Sequence, residues 1–111
     1  MMGQPVQGKT AIITGAGSGL NLALATMLLA RGCNVLLADL NLRPEAEKVV
    51  NSHSKATDAA GRAIFKQTDV TSWQQLEDMF ATSEKEFGGF DIVVAGAGVF
   101  EPVRQTTFSF S

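Results

Sequence analysis

Short apolar, β-branched runs alternate along this chain with longer stretches whose apolar residues recur every three or four positions. The runs are TAIIT at 10–14, NVLLA at 34–38, RAIFKQ at 62–67 and DIVVA at 91–95. Each is bounded by turn residues and reads as a strand. Between them the pattern predicts helices over 20–30, over 44–51, and from Trp73 to Phe87. In the first, Leu20, Leu24, Met27 and Leu28 share one side, and Leu22, Ala23, Ala25 and Leu29 make the other sides apolar too. A helix apolar on most sides is expected to pack between layers. Gly32 suits its stop, where a left-handed residue ends a helix, and Pro44 suits the first turn of the next. Ser72 followed by Gln75 predicts a capping box. Trp73, Leu76, Phe80, Ser83 and Phe87, with Met79 alongside, predict the core face of the last helix. In RAIFKQ, Ala63 and Phe65 point one way. Residues 52–61 are polar and predict no definite element. Strands joined by helices of this length pair in parallel through crossovers, so the expectation is a doubly wound α/β sheet with its ligand edge at the carboxyl ends of the strands.

Composition narrows what that edge can bind. The 111 residues are 45% hydrophobic and 18% charged, enough apolar surface for one small domain. Nine basic residues against eleven acidic ones leave a net charge of −2, which is no footprint for nucleic acid or an anionic membrane. One cysteine and one histidine exclude a disulfide framework and make no metal site. No run approaches the ~20 apolar residues of a membrane span, and MMGQPVQGKT lacks the apolar stretch of a secretory signal. With the lone cysteine, this leads to an expected cytoplasmic location. The expected domain covers 1–104, followed by an irregular tail at 105–111 in which TTFSFS alternates phenylalanine with hydroxyls. The chain contains no tyrosine, so no mechanism that needs a tyrosine base can run within it.

The chemistry gathers where the strands end. TGAGSGLN at 14–21 follows the first strand and opens the first helix. Glycines there let the backbone turn sharply and let a diphosphate approach, and the helix start offers unpaired N–H groups and a positive dipole end. Asp39 follows Gly15 by 24 residues, at the end of the second strand. A carboxylate there can accept from both hydroxyls of an adenosine ribose and repels a 2′-phosphate. The next residue is Leu40, and no basic residue lies in 16–18, so the unphosphorylated dinucleotide NAD is expected over NADP; Arg43 is near enough in sequence to oppose that preference. The competing reading of Asp39 is a cap for the next helix. Asp69 and Val70 follow the third strand, where an adenine edge could be read, although an aspartate before a helix is also a common turn former.

Other patterns carry less. Residues 3–10, GQPVQGKT, match the letters of a phosphate-binding P-loop, but such a loop needs a strand before it and a helix after it, and Thr10 begins a strand. A methyltransferase also places a glycine turn after the first strand and an acid after the second, yet usually has an acid where this chain has Thr14. Cys33 reads as a small buried filler, His53 as a solvated loop residue, and Trp73 and the helical phenylalanines as core.

In combination and order, TGAGSGL, Asp39, Asp69-Val70, and DIVV with Ala97-Gly98-Val99 resemble the N-terminal half of a short-chain dehydrogenase/reductase over roughly residues 8–100. The stretches DLNLRPEAEKVV and TDVTSWQQLEDMF are similar to NAD-preferring members that oxidise secondary alcohols. The resemblance implies a Rossmann-like sheet in the order 3-2-1-4, truncated after the fourth strand, and dinucleotide contacts from Gly15, Ser18, Gly19, Leu20, Asp39, Asp69, Val70, Ala95, Gly96 and Ala97. Two positions depart from the family. The last glycine of its T-G-x-x-x-G-x-G turn is Asn21, expected to crowd helix packing more than phosphate. Its N-N-A-G turn is Ala95-Gly96-Ala97-Gly98, without either asparagine. The family's serine and Y-x-x-x-K pair have no counterpart here, and general acid–base catalysis supplies about 10²–10⁴-fold. The expectation is therefore an oxidoreductase-derived cofactor-binding chain without turnover of its own. The alternative is an interaction fragment whose exposed fourth strand pairs with itself or with a full-length relative. A further possibility is an incomplete gene product, suggested by the change of composition at 105–111.

Overall fold

The four apolar runs lie side by side in one parallel sheet in the order third, second, first, fourth, as the resemblance implies. The computed structural model describes residues 6–17, 19–57 and 60–96; the expected tail, Ser18 and Ala97 lie outside them. In chain order the elements are β1 (Thr10–Thr14), α1 (Gly19–Ala30), β2 (Asn34–Asp39), α2 (Pro44–Ser52), β3 (Ala63–Gln67), α3 (Trp73–Phe87) and β4 (Ile92–Val94). The register sets Ile12 beside Leu36 and Val93, and Leu36 beside Ile64.

β1 is buried along its whole length and β2 along its central four residues, because helices cover both faces of the sheet. The alternation of side chains sorts the strands into two cores. Ala11, Ile13, Val35, Leu37 and Ala63 pack with α1 and α2, joined by Phe65, Ile92 and Val94. Ile12, Leu36 and Ala38 pack with Met79 of α3, joined by Ile64, Val93, Leu76 and Phe80. Ala63 and Phe65 thus share a face, as read from RAIFKQ. Each fully buried isoleucine or leucine contributes roughly 1.5–3 kcal/mol to folding, so the two central strands are the stable middle of the molecule.

Three expectations need correction. α1 buries one side only, through Leu22, Ala25, Leu28 and Leu29, while Leu20 is 83% exposed and Met27 partly open. It is an outer layer on one face of the sheet, and among the described residues nothing packs on its other side. Trp73 is 70% exposed rather than core. It is the first residue of α3, ahead of Leu76, Met79 and Phe80, which pack in the core. The capping box forms by half. The Ser72 hydroxyl accepts from the Gln75 N–H at 3.3 Å, but the Gln75 side chain accepts from the Asp69 N–H at 2.8 Å, because the Ser72 N–H is already bonded to the Asp69 carbonyl.

Candidate functional site

The carboxyl ends of β2, β1 and β4 meet at the turn between β1 and α1, and polar side chains bind these ends to one another. Gly15 and Gly19 have φ of +67° and +68°, a left-handed backbone that favours glycine. Among the described residues, a side chain at Gly19 would meet nothing within 4 Å. The first N–H groups of α1 have no partner within the helix. Leu20 stands exposed beside them.

Asp39 joins the turn to β2. Its Oδ2 accepts from the Gly17 N–H at 2.7 Å, and its Oδ1 accepts from the Leu40 N–H at 2.7 Å. Its main chain is engaged as well, since the Thr68 N–H donates to the Asp39 carbonyl at 2.8 Å. A Cβ on Gly17 would lie 2.5 Å from Oδ2, so glycine at 17 is what lets the carboxylate seat against the turn. The helix-cap reading of Asp39 does not hold. The N-cap of α2 is Arg43, which has no side-chain capping bond, and Asp39 reaches back to the turn instead.

Gly96, just past β4, is clamped from β1 and α1. Its N–H donates to Thr14 Oγ1 at 2.8 Å, and its carbonyl accepts from Asn21 Nδ2 at 3.1 Å. Ala95 lies between this clamp and β4 and is partly buried. Asn21 was expected to crowd helix packing; its side chain instead spans the turn to the far strand.

Asp69 serves the turn before α3. Its Oδ1 accepts from the Thr71 hydroxyl at 2.6 Å and the Thr71 N–H at 2.9 Å, and these bonds hold its carboxyl below the usual carboxylate range, the hydroxyl contributing most. Val70 is exposed beside it. A cleft of about 510 Å³ opens between Leu40 and Asp69, with Gln75 on its wall. The structure thus brings Gly15, Gly19, Leu20, Asp39, Ala95 and Gly96 to one edge, with Asp69 and Val70 at its β3 side. Thr14, Gly17 and Asn21 belong to the same constellation and were not among the candidate contacts. Glycine at 17 and a polar residue at 21 were visible signals, but their partners lie 22 and 75 residues away in sequence.

The remaining polar candidates are structural. His53 is the half-buried turn residue that caps α2, with its main-chain N–H bonded to the Val49 and Val50 carbonyls and its ring Nδ1 3.0 Å from the Val49 carbonyl oxygen. Lys9 precedes β1 with no helix after it, which removes the P-loop reading. No cluster of metal-ligating side chains occurs among the described residues, and no helix among them is long and apolar enough to cross a membrane.

An open parallel α/β sheet with a glycine turn facing an acid on the adjoining strand is the layout of a Rossmann-like domain. Comparison with known proteins narrows the class. A family model described as short chain dehydrogenase matches residues 9–110. The chain is 35% identical over 101 residues to the cis-4-hydroxycyclohexanecarboxylate dehydrogenase of Sinomonas cyclohexanicum, covering 91% of this chain and 39% of that protein. Its fold matches a hydroxysteroid dehydrogenase from Escherichia coli with a TM-score of 0.70 and 32% identity, over 81% of this chain and 37% of that one. It also matches a 3-ketoacyl-(acyl-carrier-protein) reductase from Brucella melitensis complexed with NADH, with a TM-score of 0.65 and 28% identity, over 79% of this chain and 33% of that one. The chain belongs to the short-chain dehydrogenase family of oxidoreductases, and spans less than two fifths of the length of these relatives.

Proposed function

We propose that this chain is the cofactor-holding part of a nicotinamide-dependent oxidoreductase and binds NAD in preference to NADP. The observation that carries the reading is Asp39: a carboxylate fixed by two N–H bonds of 2.7 Å, one of them from the glycine turn at the start of α1. Its remaining lone pairs can accept from ribose hydroxyls, and its charge opposes a 2′-phosphate. Residues Gly15, Ser18, Gly19 and Leu20 would hold the diphosphate with main-chain N–H groups and the α1 dipole. Asp69 and Val70 would border the adenine, and Ala95, Gly96 and Ala97 the nicotinamide half. When bound, the nicotinamide supplies hydride chemistry. The names of the Sinomonas and Escherichia coli relatives suggest a secondary alcohol or its ketone as the substrate class. The chain has no tyrosine to act as acid or base, so on this reading it binds cofactor without turning it over.

Fluorescence titration with NADH and NADPH tests this. NADH should bind about tenfold or more tighter than NADPH, and Asp39→Ala should weaken NADH about tenfold, the scale of a hydrogen bond to a charged group. Equal affinities in the unaltered chain would remove the assigned role of Asp39. A second reading, self-association through β4, draws on the position of that strand at the edge of the sheet among the described residues, with its own residues only partly buried. Size-exclusion chromatography across concentrations tests it, and an elution volume independent of concentration would count against it.

A further inference from the structure

We infer that Asn21 is a positioning residue: its side-chain amide fixes the Gly96 turn against the glycine turn, and so sets the floor beneath the second half of a dinucleotide. This rests on the dinucleotide reading of the site. The grip on Gly96 comes from both sides of its main chain. Thr14 Oγ1 accepts from its N–H at 2.8 Å and Asn21 Nδ2 donates to its carbonyl at 3.1 Å. The fit leaves no spare room at Gly96, because a Cβ there would run into the Thr14 carbonyl oxygen and the Asn21 amide. Ala95 has no polar side chain with which to hold this turn from its own strand. Among the described residues, Asn21 is therefore the only side chain bonded to the Gly96 carbonyl.

The sheet order gives this tether a role in binding. A ligand anchored by adenosine at the end of β2 and by diphosphate over the end of β1 continues onto β4, the neighbour of β1 on its other side. The crevice lies where the strand order reverses, between β1 and β4, and Asn21 crosses it from the first turn of α1. Without the amide, Thr14 still holds the Gly96 N–H, but the carbonyl that follows is free to turn. The loss falls on the part of a ligand that passes the diphosphate and leaves the adenosine side, built on Asp39 and Gly17, in place.

The test compares a ligand that reaches β4 with one that does not. In Asn21→Ala, NADH should bind about fivefold more weakly, the scale of one neutral hydrogen bond, while ADP changes by less than twofold. Thermal unfolding of the same samples establishes that the variant is folded. If it is not, Asn21→Ser keeps a polar group at the helix start, is too short to span to Gly96, and carries the same expectation. Asn21→Gln retains the amide and should recover at least part of the NADH affinity. Parallel weakening of NADH and ADP, or no change in either, would overturn the inference. An unaltered chain that binds neither NADH nor ADP would instead overturn the reading of the site on which it rests.

Discussion

The two ends of the sheet differ in what surrounds their fastenings. At the amino end, main-chain bonds are joined by two side chains, the Thr10 N–H donating to Asp91 Oδ2 and the Arg62 N–H to Asn34 Oδ1, both at 2.9 Å. The Asn34 N–H donates to Lys9 at 2.8 Å, the Gly61 N–H to Leu29 at 2.9 Å and the Gly8 N–H to Gly32 at 3.0 Å, while Cys33, Gly61 and Ala63 are buried. At the carboxyl end, side chains grip main chain: Asp39 holds Gly17, and Thr14 and Asn21 hold Gly96. Leu20, Leu40, Val70 and Trp73 stand exposed around them. One end closes the fold. The other keeps its polar groups fixed in advance and leaves apolar side chains open to a ligand, an arrangement that lowers the ordering cost of binding.

Two glycines should break that contrast most sharply. A Cβ on Gly61 would strike the Cys33 carbonyl, and a Cβ on Gly96 the Thr14 carbonyl. Both neighbours are backbone and cannot swing aside. Gly61→Ala and Gly96→Ala should each lose about 3 kcal/mol or more in urea unfolding, but only Gly96→Ala should also weaken NADH in titration. Equal loss of NADH affinity in both would erase the distinction between the ends.

The amino end has its own pH signature. Burial, with the charge of Asp91 adding to it, pushes the Cys33 thiol from 9.0 up to about 11. The folded state holds the neutral thiol, whereas the unfolded chain ionises it from about pH 9. Its stabilising contribution is therefore full below pH 9 and is lost as pH rises toward 11, on the order of 2 kcal/mol. Denaturant midpoints across this window should fall less in Cys33→Ala than in the unaltered chain; an identical fall would assign the loss to other groups.

A smaller effect sharpens the picture at the carboxyl end. Ser72→Ala removes the 3.3 Å capping bond to Gln75 and should cost about 1 kcal/mol, with NADH affinity unchanged. Thermal unfolding and titration on one preparation would show whether the cap of α3 is separable from the crevice.

The strands and their glycine boundaries were legible in the sequence because a doubly covered sheet requires unbroken apolar runs such as TAIIT and NVLLA. Asp39 was legible because its place after the second strand follows from the order of elements. Trp73 was misread since helical periodicity reports which side of a helix a residue occupies, not whether a partner meets it there. Leu76, Met79 and Phe80 pack in the core, whereas Trp73 at the first position of α3 stays exposed. The reach of Asn21 to Gly96 was hidden for another reason: it joins residues that become neighbours only after β4 lines up beside β1. Gln75 shows the same limit at short range, since its side chain chose the Asp69 N–H once Ser72 had bonded elsewhere.

Trp73 also equips the molecule with a built-in optical probe. It is the sole indole in the chain and has 70% of its surface in water, so its emission should lie toward the red, where hydrated indoles emit. Three residues beyond Val70, it stands at the start of α3, after β3, and outside the core. A blue shift or quenching on adding nucleotide would report occupancy of the carboxyl edge without any attached dye, and the signal would arise from a side chain whose replacement leaves the packed interior untouched.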